Sequence, residues 1–528
     1  MEKILIKNST IYDGTGAHPF QSDILIQNGK ILSIGNLKEL SDTYVIDGSG
    51  LALSPGFIDT HTHSDSKILN DPAHEHSLRQ GVTTEILGQD GLSYAPLSPK
   101  NYRLNSEYLS GLLGNPPKNI DMSSVEKFRS HYDSKVSINT AYCVPHGAIR
   151  LESVGFKDLP LTGNALETAK NLVKESMDQG AVGMATGMSY FPNAWSDTQE
   201  LIELCKIVKE KDGVYVTHLR DKNVDRAFGG GWVKEAIEIA RKSGVKIHFS
   251  HYRTDKNTAG NIEAKMHLID EGIREGLDIT LELYPYPTGS TFPLSFLPSY
   301  AHENGIPGVI GLLSDKSKKI ELADYLDNDF KTPTGPIGEV ILSYIPKFPE
   351  LEGDSLVNIA KKRRETVGMA LCNLLLETKC QIGYWAMPPD EKTWDQINLD
   401  IVKLLSRKDY MVGSDSIPLG SYPHPRAYGT FPRIIGRFQR KYNYMQLSET
   451  IQRITGNPAK RFKLNKRGAI KEGYFADIVI FDSDTVIDNA TYENPKQYPS
   501  GIHYVIVNGK IAIEKGELKS SNSGKAIP

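Results

Sequence analysis

Residues 54–65 read SPGFIDTHTHSD. An apolar run opened by Gly56 ends in His61 and His63, as expected for a buried β-strand with polar residues at its end. Side chains two positions apart in a strand share a face, so both imidazoles can aim at one point. Taken by itself, an HxH motif also suits two hydrogen-bonded structural histidines. Here, however, Asp59 stands where it can hydrogen-bond to a metal ligand and orient it. The stretch therefore predicts a strand that carries chemistry at its carboxyl end.

Seven more apolar runs of this kind follow, separated by helical stretches. The eight predicted strands are GFIDTHTH, VTTEILG, INTAYCVPH, AVGMATG, VYVTH, KIHFSH, ITLELY and YMVGSD. The segments LETAKNLVKESMDQG, TQELIELCKIVKEKDG and VKEAIEIARKSG have apolar residues at helical spacing and end in glycine, which is typical of capped helices. Strands that alternate with helices predict the α/β class and a (β/α)₈ TIM-type barrel.

The two ends of the chain differ from this middle part. Both contain short apolar runs joined by an Asn-Gly hairpin signal, at Asn28-Gly29 near the start and at Asn508-Gly509 near the end. We therefore predict a small β-sandwich domain built from residues 1–55 plus 465–528, with the barrel over residues 56–464.

The barrel pattern is interrupted between about residues 291 and 380. This segment is far longer than a connection between a strand and a helix requires. Long insertions above a barrel mouth usually act as lids or binding loops. We predict a lid, with a purely structural excursion as the alternative.

Composition favours small-molecule chemistry. The 528 residues include 61 basic and 64 acidic side chains, for a net charge of −3, which gives no electrostatic reason to expect a nucleic-acid or membrane partner. The first residues, MEKILIKNSTIYDG, lack the apolar stretch of a signal peptide, and no later run reaches membrane-spanning length. A cytoplasmic protein is expected, and the oligomeric state stays open. The four cysteines are scattered without a CxxC pair and are predicted to be reduced core residues.

Two more histidines and one aspartate occupy strand ends. His218 ends VYVTH and His251 ends KIHFSH, which places both at the rim where barrel enzymes carry their sites. Each alone suits a structural role equally well, but together with the earlier pair they favour metal ligation. Asp415 closes the last strand, where a carboxylate can act as general base and then general acid, or simply cap the next helix. His248, three residues before His251, is predicted to point to the opposite side and to be structural.

Further motifs carry a family resemblance: GVTTEILGQDG, THLRD, SHYRTD, YPYPTGST, GSDS and HPRAYGTFPR. With the opening stretch they resemble the amidohydrolase superfamily and, within it, the N-acyl-D-amino-acid deacylase (D-aminoacylase) family, over essentially the whole chain. The HxH strand is superfamily-wide, whereas HPRAYGTFPR after the aspartate is characteristic of the family. The resemblance implies a barrel, a sandwich from both termini and an insertion above the site.

The resemblance also assigns roles. It implies that His61 and His63 contribute to one metal position and that His218 and His251 contribute to a second. It also implies a catalytic role for Asp415. Where the family usually has a cysteine ligand in an NCG motif, this chain has GQDG, so Asp90 replaces a soft thiolate by a hard carboxylate that could bind one metal or bridge two. The expected cofactor is one or two Zn²⁺ ions, with other divalent metals possible. The carboxylated lysine of hydantoinases has no counterpart in AVGMATG, which disfavours cyclic amides.

Substrate contacts are predicted at four positions. Arg253 lies two residues after His251, so its guanidinium can share that face and hold a carboxylate by two hydrogen bonds. Three further residues fall in segments that resemble substrate-contacting loops of the family, and these are Tyr190, Tyr284 and Arg426. Packed aromatic rings and a structural ion pair are the alternatives. His146 also lies in a family-like segment, and a structural role is favoured for it.

These patterns predict a metal-dependent amidohydrolase that converts N-acyl-D-amino acids to a carboxylic acid and a free D-amino acid. The divalent ion would lower the pKa of a water molecule, and Asp415 would move the proton. The D configuration rests on the resemblance alone. Alternatives are a dipeptidase, a lactonase or another amide hydrolase on the same site, and a non-catalytic relative that retains the barrel for binding or assembly. The intact set of histidines and aspartate argues against the last.

Overall fold

A computed structural model describes residues 3–39, 41–328, 330, 336–519 and 522–528. Within these ranges the strands form three sheets, of nine, eight and three strands. In chain order the strands are β1 Lys3–Ile11, β2 Phe20–Gln27, β3 Lys30–Gly35, β4 Thr43–Asp47, β5 Ala52–Pro55, β6 Phe57–Asp59, β7 Val82–Leu87, β8 Asn139–Pro145, β9 Gly183–Gly187, β10 Val214–His218, β11 Lys246–Phe249, β12 Ile279–Leu283, β13 Ser290–Thr291, β14 Val340–Tyr344, β15 Gly383–Ala386, β16 Tyr410–Val412, β17 Ile478–Phe481, β18 Ile502–Val507, β19 Lys510–Glu514 and β20 Glu517–Leu518.

Helices fill most of the connections between these strands. The α-helices are α1 Asp65–Asn70, α2 Glu75–Leu78, α3 Pro99–Tyr108, α4 Ser110–Leu113, α5 Val125–Tyr132, α6 His146–Val154, α7 Gly163–Asp178, α8 Thr198–Glu210, α9 Trp232–Ser243, α10 Ile262–Arg274, α11 Gly305–Ser314, α12 Lys316–Asn328, α13 Leu356–Arg363, α14 Val367–Thr378, α15 Glu391–Leu405, α16 Arg426–Pro432, α17 Gln439–Tyr442, α18 Leu447–Ile454 and α19 Gly456–Arg461. The three helices predicted from apolar spacing are α7, α8 and α9. Helix α9 buries Val233, Ile237 and Ala240 and stops at Gly244, which has a left-handed φ of 70°.

The eight-stranded sheet is the predicted (β/α)₈ barrel. Its strands run parallel in the order β16-β12-β11-β10-β9-β8-β7-β6. The first and last strands close the barrel through a backbone bridge between Thr62 and Ser416, and the Asp415 amide donates to the His61 carbonyl at 2.7 Å. The barrel therefore closes among the residues predicted to carry the chemistry.

The nine-stranded sheet joins the two ends of the chain. Strand β17 pairs with β5, so C-terminal strands continue the sheet that the N-terminal strands begin. The sheet curls until its two hairpin tips meet, and a Cβ added to Gly509 would lie 2.6 Å from the Gly29 Cα. Isoleucines from both halves, including Ile6, Ile24 and Ile478, fill the space between the layers. Strands from both termini therefore share one sheet beside the barrel, and the domain bounds 1–55 plus 465–528 stay a prediction.

The insertion lies between β12 and β16 and is a folded unit. Strands β13, β15 and β14 form an antiparallel sheet, and α11 to α14 pack beside it. It contacts the barrel loops where the Tyr190 hydroxyl meets the Thr291 hydroxyl at 3.1 Å and the Trp195 indole donates to Ser299 at 2.8 Å. The insertion therefore stands above the carboxyl ends of the barrel strands.

Two sequence predictions concern the remaining chain. All four cysteines are buried free thiols, as expected for reduced core residues. Among the described residues no helix has both the length and the apolar character that crossing a bilayer requires.

Candidate active site

The carboxyl ends of the barrel strands bring six of the predicted site residues together. They are His61 and His63 after β6, Asp90 after β7, His218 at the end of β10, His251 after β11 and Asp415 after β16. Each of the six has a polar side-chain atom within 3.6 Å of another member's polar atom. Several strands that are far apart in sequence thus contribute to one cluster.

Asp90 lies at the centre of this cluster. Its Oδ1 is 3.6 Å from His61 Nε2, and its Oδ2 is 3.5 Å from His63 Nε2 and 3.6 Å from His218 Nδ1. The residue sits in a short 3₁₀ turn with a left-handed φ of 55°, which aspartate tolerates better than most side chains. A Cβ at Gly187 would lie 2.3 Å from the Asp90 carbonyl, so β9 must end in glycine to admit this turn. The two carboxylate oxygens face different histidines.

Asp415 lies opposite Asp90 with its two oxygens in different surroundings. Oδ1 is 3.3 Å from His63 Nε2 and 3.7 Å from His61 Nε2. Oδ2 lies 2.8 Å from the Arg426 Nη1, and that guanidinium is fully buried. One oxygen is therefore anchored by a positive charge while the other faces the imidazoles.

His218 and His251 form the more open side of the cluster. His218 Nδ1 lies 3.0 Å from His251 Nε2, and the Ser189 hydroxyl lies 3.3 Å from His218 Nε2. The side chains of His218 and His251 are 21% and 20% exposed, whereas His61 and His63 are 0% and 3% exposed. A substrate would therefore approach from the side of His218 and His251.

Carboxylates in and beside the cluster favour positive charge on the His61 imidazole. Burial acts to lower the pKa of His61, but Asp90 and Glu282 outweigh it and raise that pKa well above its ordinary value. Burial acts to raise the pKa of Asp90, but the neighbouring imidazoles, His61 first, hold it well below its usual range. Burial likewise acts to raise the pKa of Asp415, and Arg426 outweighs it, so this pKa also lies below its ordinary value.

These side chains fit a divalent cation. His61 Nε2 and Asp90 Oδ1 are buried, and neither has a hydrogen-bond partner among the described residues. Two groups each bring three ligand atoms within 4.8 Å of one another, and these are His61, Asp90 and His251, and His61, His63 and Asp415. Imidazole nitrogens with carboxylate oxygens are a donor set that zinc takes. His61 belongs to both groups, whereas His218 belongs to neither, although it contacts His251.

The predicted substrate residues lie beside this cluster. The Arg253 and Arg426 guanidinium groups each stand 4.5 Å from the centroid of the Tyr284 ring. Arg253 Nη2 donates to the Tyr284 hydroxyl at 3.0 Å, and its Nη1 donates to two backbone carbonyls. The Tyr190 ring lies 5.1 Å from the His218 ring. Most donors of Arg253 are thus engaged within the protein, while its Nε has no partner among the described residues.

Two residues beside the cluster make contacts that differ from the sequence predictions. The Asp59 carboxylate accepts from the His61 and Ser414 backbone amides, at 3.2 and 2.8 Å, and so braces the backbone instead of an imidazole. His248 does not point away from the site, because β11 ends at Phe249 and strand alternation does not continue to His251. Its Nε2 lies 3.1 Å from Glu282.

Glu282 is a buried carboxylate beside the cluster that the sequence analysis did not single out. It is buried on β12 and its Oε1 lies 2.5 Å from His61 Nδ1. The only sequence signal is an acidic residue inside the apolar strand ITLEL. His146 contacts Asn193 and Glu200, at 3.1 and 2.8 Å, which is the structural role favoured for it.

Sequence comparison adds full-length relatives. A model of the amidohydrolase family matches residues 376–513. A D-aminoacylase of Alcaligenes xylosoxydans xylosoxydans is 28% identical, with 99% of this chain and 97% of the relative covered. An N-acyl-D-glutamate deacylase of the same organism is also 28% identical, with 96% and 92% covered.

Comparison with solved structures also finds deacylases that match the full chain. The N-acyl-D-glutamate deacylase of Bordetella bronchiseptica, solved with zinc and a phosphonate mimic of the tetrahedral intermediate, has a TM-score of 0.82 at 27% identity, with 99% of each chain covered. A solved D-aminoacylase, described as having a binuclear metal centre with one-metal activation and second-metal attenuation, has a TM-score of 0.79 at 27% identity, with 99% of each chain covered.

Proposed function

Because the chain belongs to the N-acyl-D-amino-acid deacylase family of the amidohydrolase superfamily, we propose that it is a metal-dependent hydrolase of N-acyl-D-amino acids. Its products are a carboxylic acid and a free D-amino acid. The observation that carries this function is the meeting of four histidines and two aspartates at the carboxyl ends of the barrel strands. Relatives that match the whole chain are named for this reaction.

We propose that His61, His63, Asp90, His218 and His251 hold one or two zinc ions. A divalent ion bound there supplies a Lewis acid that polarises the amide carbonyl and makes a water molecule more acidic. The two oxygens of Asp90 face different imidazoles, which supports the proposal that this carboxylate could contribute to one metal position or to both.

Asp415 is proposed to move the proton. Arg426 holds Oδ2 and keeps the carboxylate ionised, which leaves Oδ1 to take a proton from the attacking water. The same oxygen can then deliver that proton to the leaving nitrogen. Arg426 thus contacts the proposed general base Asp415 and also lies beside Tyr284, a predicted substrate contact.

We propose that Arg253, Arg426 and Tyr284 bind the carboxylate of the substrate. Two guanidinium groups beside one phenol concentrate positive charge and planar donors, which suits a carboxylate. The Tyr190 hydroxyl contacts Thr291 of the insertion and its ring lies beside His218, which supports the proposal that Tyr190 contacts the acyl group. The contact also ties the insertion to the site, which supports a lid role for residues 291–380.

The test is amino-acid release from a panel of N-acetyl D- and L-amino acids, with metal content measured on the same sample. We expect release from D substrates, loss of activity with chelator and recovery with zinc. A metal-loaded protein that is silent on the panel but cleaves dipeptides, lactones or other amides would overturn the substrate assignment. A protein that retains no metal would overturn the hydrolase itself. A cytoplasmic location stays a prediction.

A further inference from the structure

We propose that Glu282 is a positioning residue that fixes the tautomer and direction of His61 and thereby sets the metal affinity of the whole site. Its Oε1 lies 2.5 Å from His61 Nδ1, and both side chains are buried. A carboxylate at Nδ1 requires that this nitrogen carry the proton, so the lone pair is left on Nε2. That Nε2 faces Asp90 at 3.6 Å and Asp415 at 3.7 Å.

Glu282 is itself held in place from the other side. Its Oε2 accepts from the Thr60 hydroxyl and lies 3.1 Å from His248 Nε2. His248 Nδ1 in turn lies 2.8 Å from the Thr280 hydroxyl. The chain of contacts therefore runs from Thr280 through His248 and Glu282 to His61, with every oxygen of Glu282 engaged. A carboxylate with both oxygens occupied has one orientation.

Among the described residues, His61 alone of the four site histidines contacts a carboxylate that lies outside the cluster. His63 Nδ1 is buried without a hydrogen-bond partner, and His218 Nε2 contacts the neutral Ser189 hydroxyl at 3.3 Å. His61 is also the side chain common to both candidate ligand groups. An error in its direction would therefore weaken both groups, and one carboxylate controls the shared ligand.

This inference rests on the proposed metal-dependent function, but its test needs no substrate. Zinc alone is titrated against a chromophoric chelator for the wild-type protein and for Glu282→Gln, which has nearly the same shape without the charge. We expect zinc binding about 10- to 100-fold weaker in the variant. The His61 Nδ1 proton should resonate strongly downfield in zinc-loaded wild type and lose that position in Glu282→Gln.

Two further variants separate positioning from folding. His248→Gln leaves the Glu282–His61 pair in place and removes one brace, so a smaller loss of zinc affinity is expected. Glu85→Gln removes another buried strand carboxylate, one that contacts His74 and Ser77, and should leave zinc affinity unchanged.

The inference fails if folded Glu282→Gln binds zinc as tightly as wild type and retains the downfield proton. It also fails if Glu85→Gln weakens zinc binding as much as Glu282→Gln. Should Glu282→Gln not fold, an unchanged zinc affinity in His248→Gln would count against it. If the protein is inactive on N-acyl-D-amino acids, the zinc-affinity results still test this inference, because they are measured without substrate.

Discussion

Asp415 is the side chain on which the proposed proton transfer depends most directly. Its Oδ1 faces His63 and His61, while Arg426 holds Oδ2 at 2.8 Å. One oxygen of this aspartate is therefore held by a guanidinium, while the other faces two imidazoles. Arg426, first predicted as a substrate contact, thus directly contacts the carboxylate that is proposed to move the proton.

Asp415→Asn is expected to retain metal but lose most turnover. The amide retains the size of the side chain and cannot take a proton, and general acid–base catalysis typically contributes about 10²- to 10⁴-fold. The check is kcat on an N-acyl-D-amino acid with metal content measured on the same preparation. The control is Asp409→Asn, because Asp409 precedes the first residue of β16 whereas Asp415 follows the last; this variant should retain activity. Full turnover in Asp415→Asn would refute the role.

At the scale of elements, the two hairpin tips of the terminal sheet lie against each other. Gly509 has a φ of 74°, and a Cβ there would lie 2.6 Å from Gly29 Cα. Gly516, in the next hairpin, has a φ of 80° and no neighbour within 4 Å of its added Cβ. The pair therefore separates backbone strain from steric contact.

Gly509→Ala is expected to destabilise the protein more than Gly516→Ala. Both variants bear the left-handed backbone cost of about 1–2 kcal/mol, and only the first adds overpacking of about 1–3 kcal/mol. Urea unfolding of both variants measures the difference. Equal unfolding midpoints would show that the hairpin tips do not hold each other.

The insertion contains a buried histidine that should make it sensitive to acid. His302 lies 2.7 Å from the Tyr108 hydroxyl and 3.2 Å from the Leu297 carbonyl. Burial lowers its pKa to about 4 from an ordinary value of 6.5, although the Leu297 carbonyl acts in the opposite direction. The unfolded chain therefore binds the proton more readily, so this contribution to stability is present above pH 6.5 and is lost as pH falls through 4.

His302→Gln should flatten the pH dependence of unfolding between pH 6.5 and 4. One titrating group contributes a slope of up to about 1.4 kcal/mol per pH unit, and the variant should lack that increment. The measurement is the free energy of unfolding between pH 6.5 and 4. The matched control is His267→Gln, because the His267 side chain is exposed. A variant with the wild-type slope would contradict the assignment.

For the whole molecule, the site is assembled by the closure of the barrel. The Asp415 amide donates to the His61 carbonyl at 2.7 Å, and the His63 amide donates to the Ser416 carbonyl at 2.9 Å. These bonds join the first barrel strand to the last. A ligand that ties their side chains together should therefore stabilise the entire fold.

Metal removal is expected to lower the melting temperature. A zinc ion at about 100 times its Kd would add about 2.7 kcal/mol to the stability of the folded state. Thermal unfolding with chelator and with added zinc measures the shift. Asp90→Asn, which removes the carboxylate charge at the centre of the cluster, should show a much smaller shift. The same zinc response in both proteins would place the stabilising metal elsewhere.

The features that depend on local pattern could be predicted from the sequence. Apolar runs of strand length predicted the barrel strands, helical spacing and terminal glycines predicted α7 to α9, and Asn-Gly pairs predicted the hairpins of the terminal sheet. The motifs at strand ends placed His61, Asp90 and Asp415 at one rim, since parallel barrel strands present their carboxyl ends together.

Tertiary structure alone decided which side chains support those residues. Glu282 and His61 are 221 positions apart, and Asp59 and Ser414 are 355 apart. Periodicity states which face of a strand a residue occupies, but the register between distant strands and the point where each strand ends determine which residues meet. The predicted strand KIHFSH extends two residues beyond the observed end of β11 at Phe249, so alternation counted back from His251 gives the wrong side for His248. The partner of a buried carboxylate is set by how the barrel closes, and no local pattern records it.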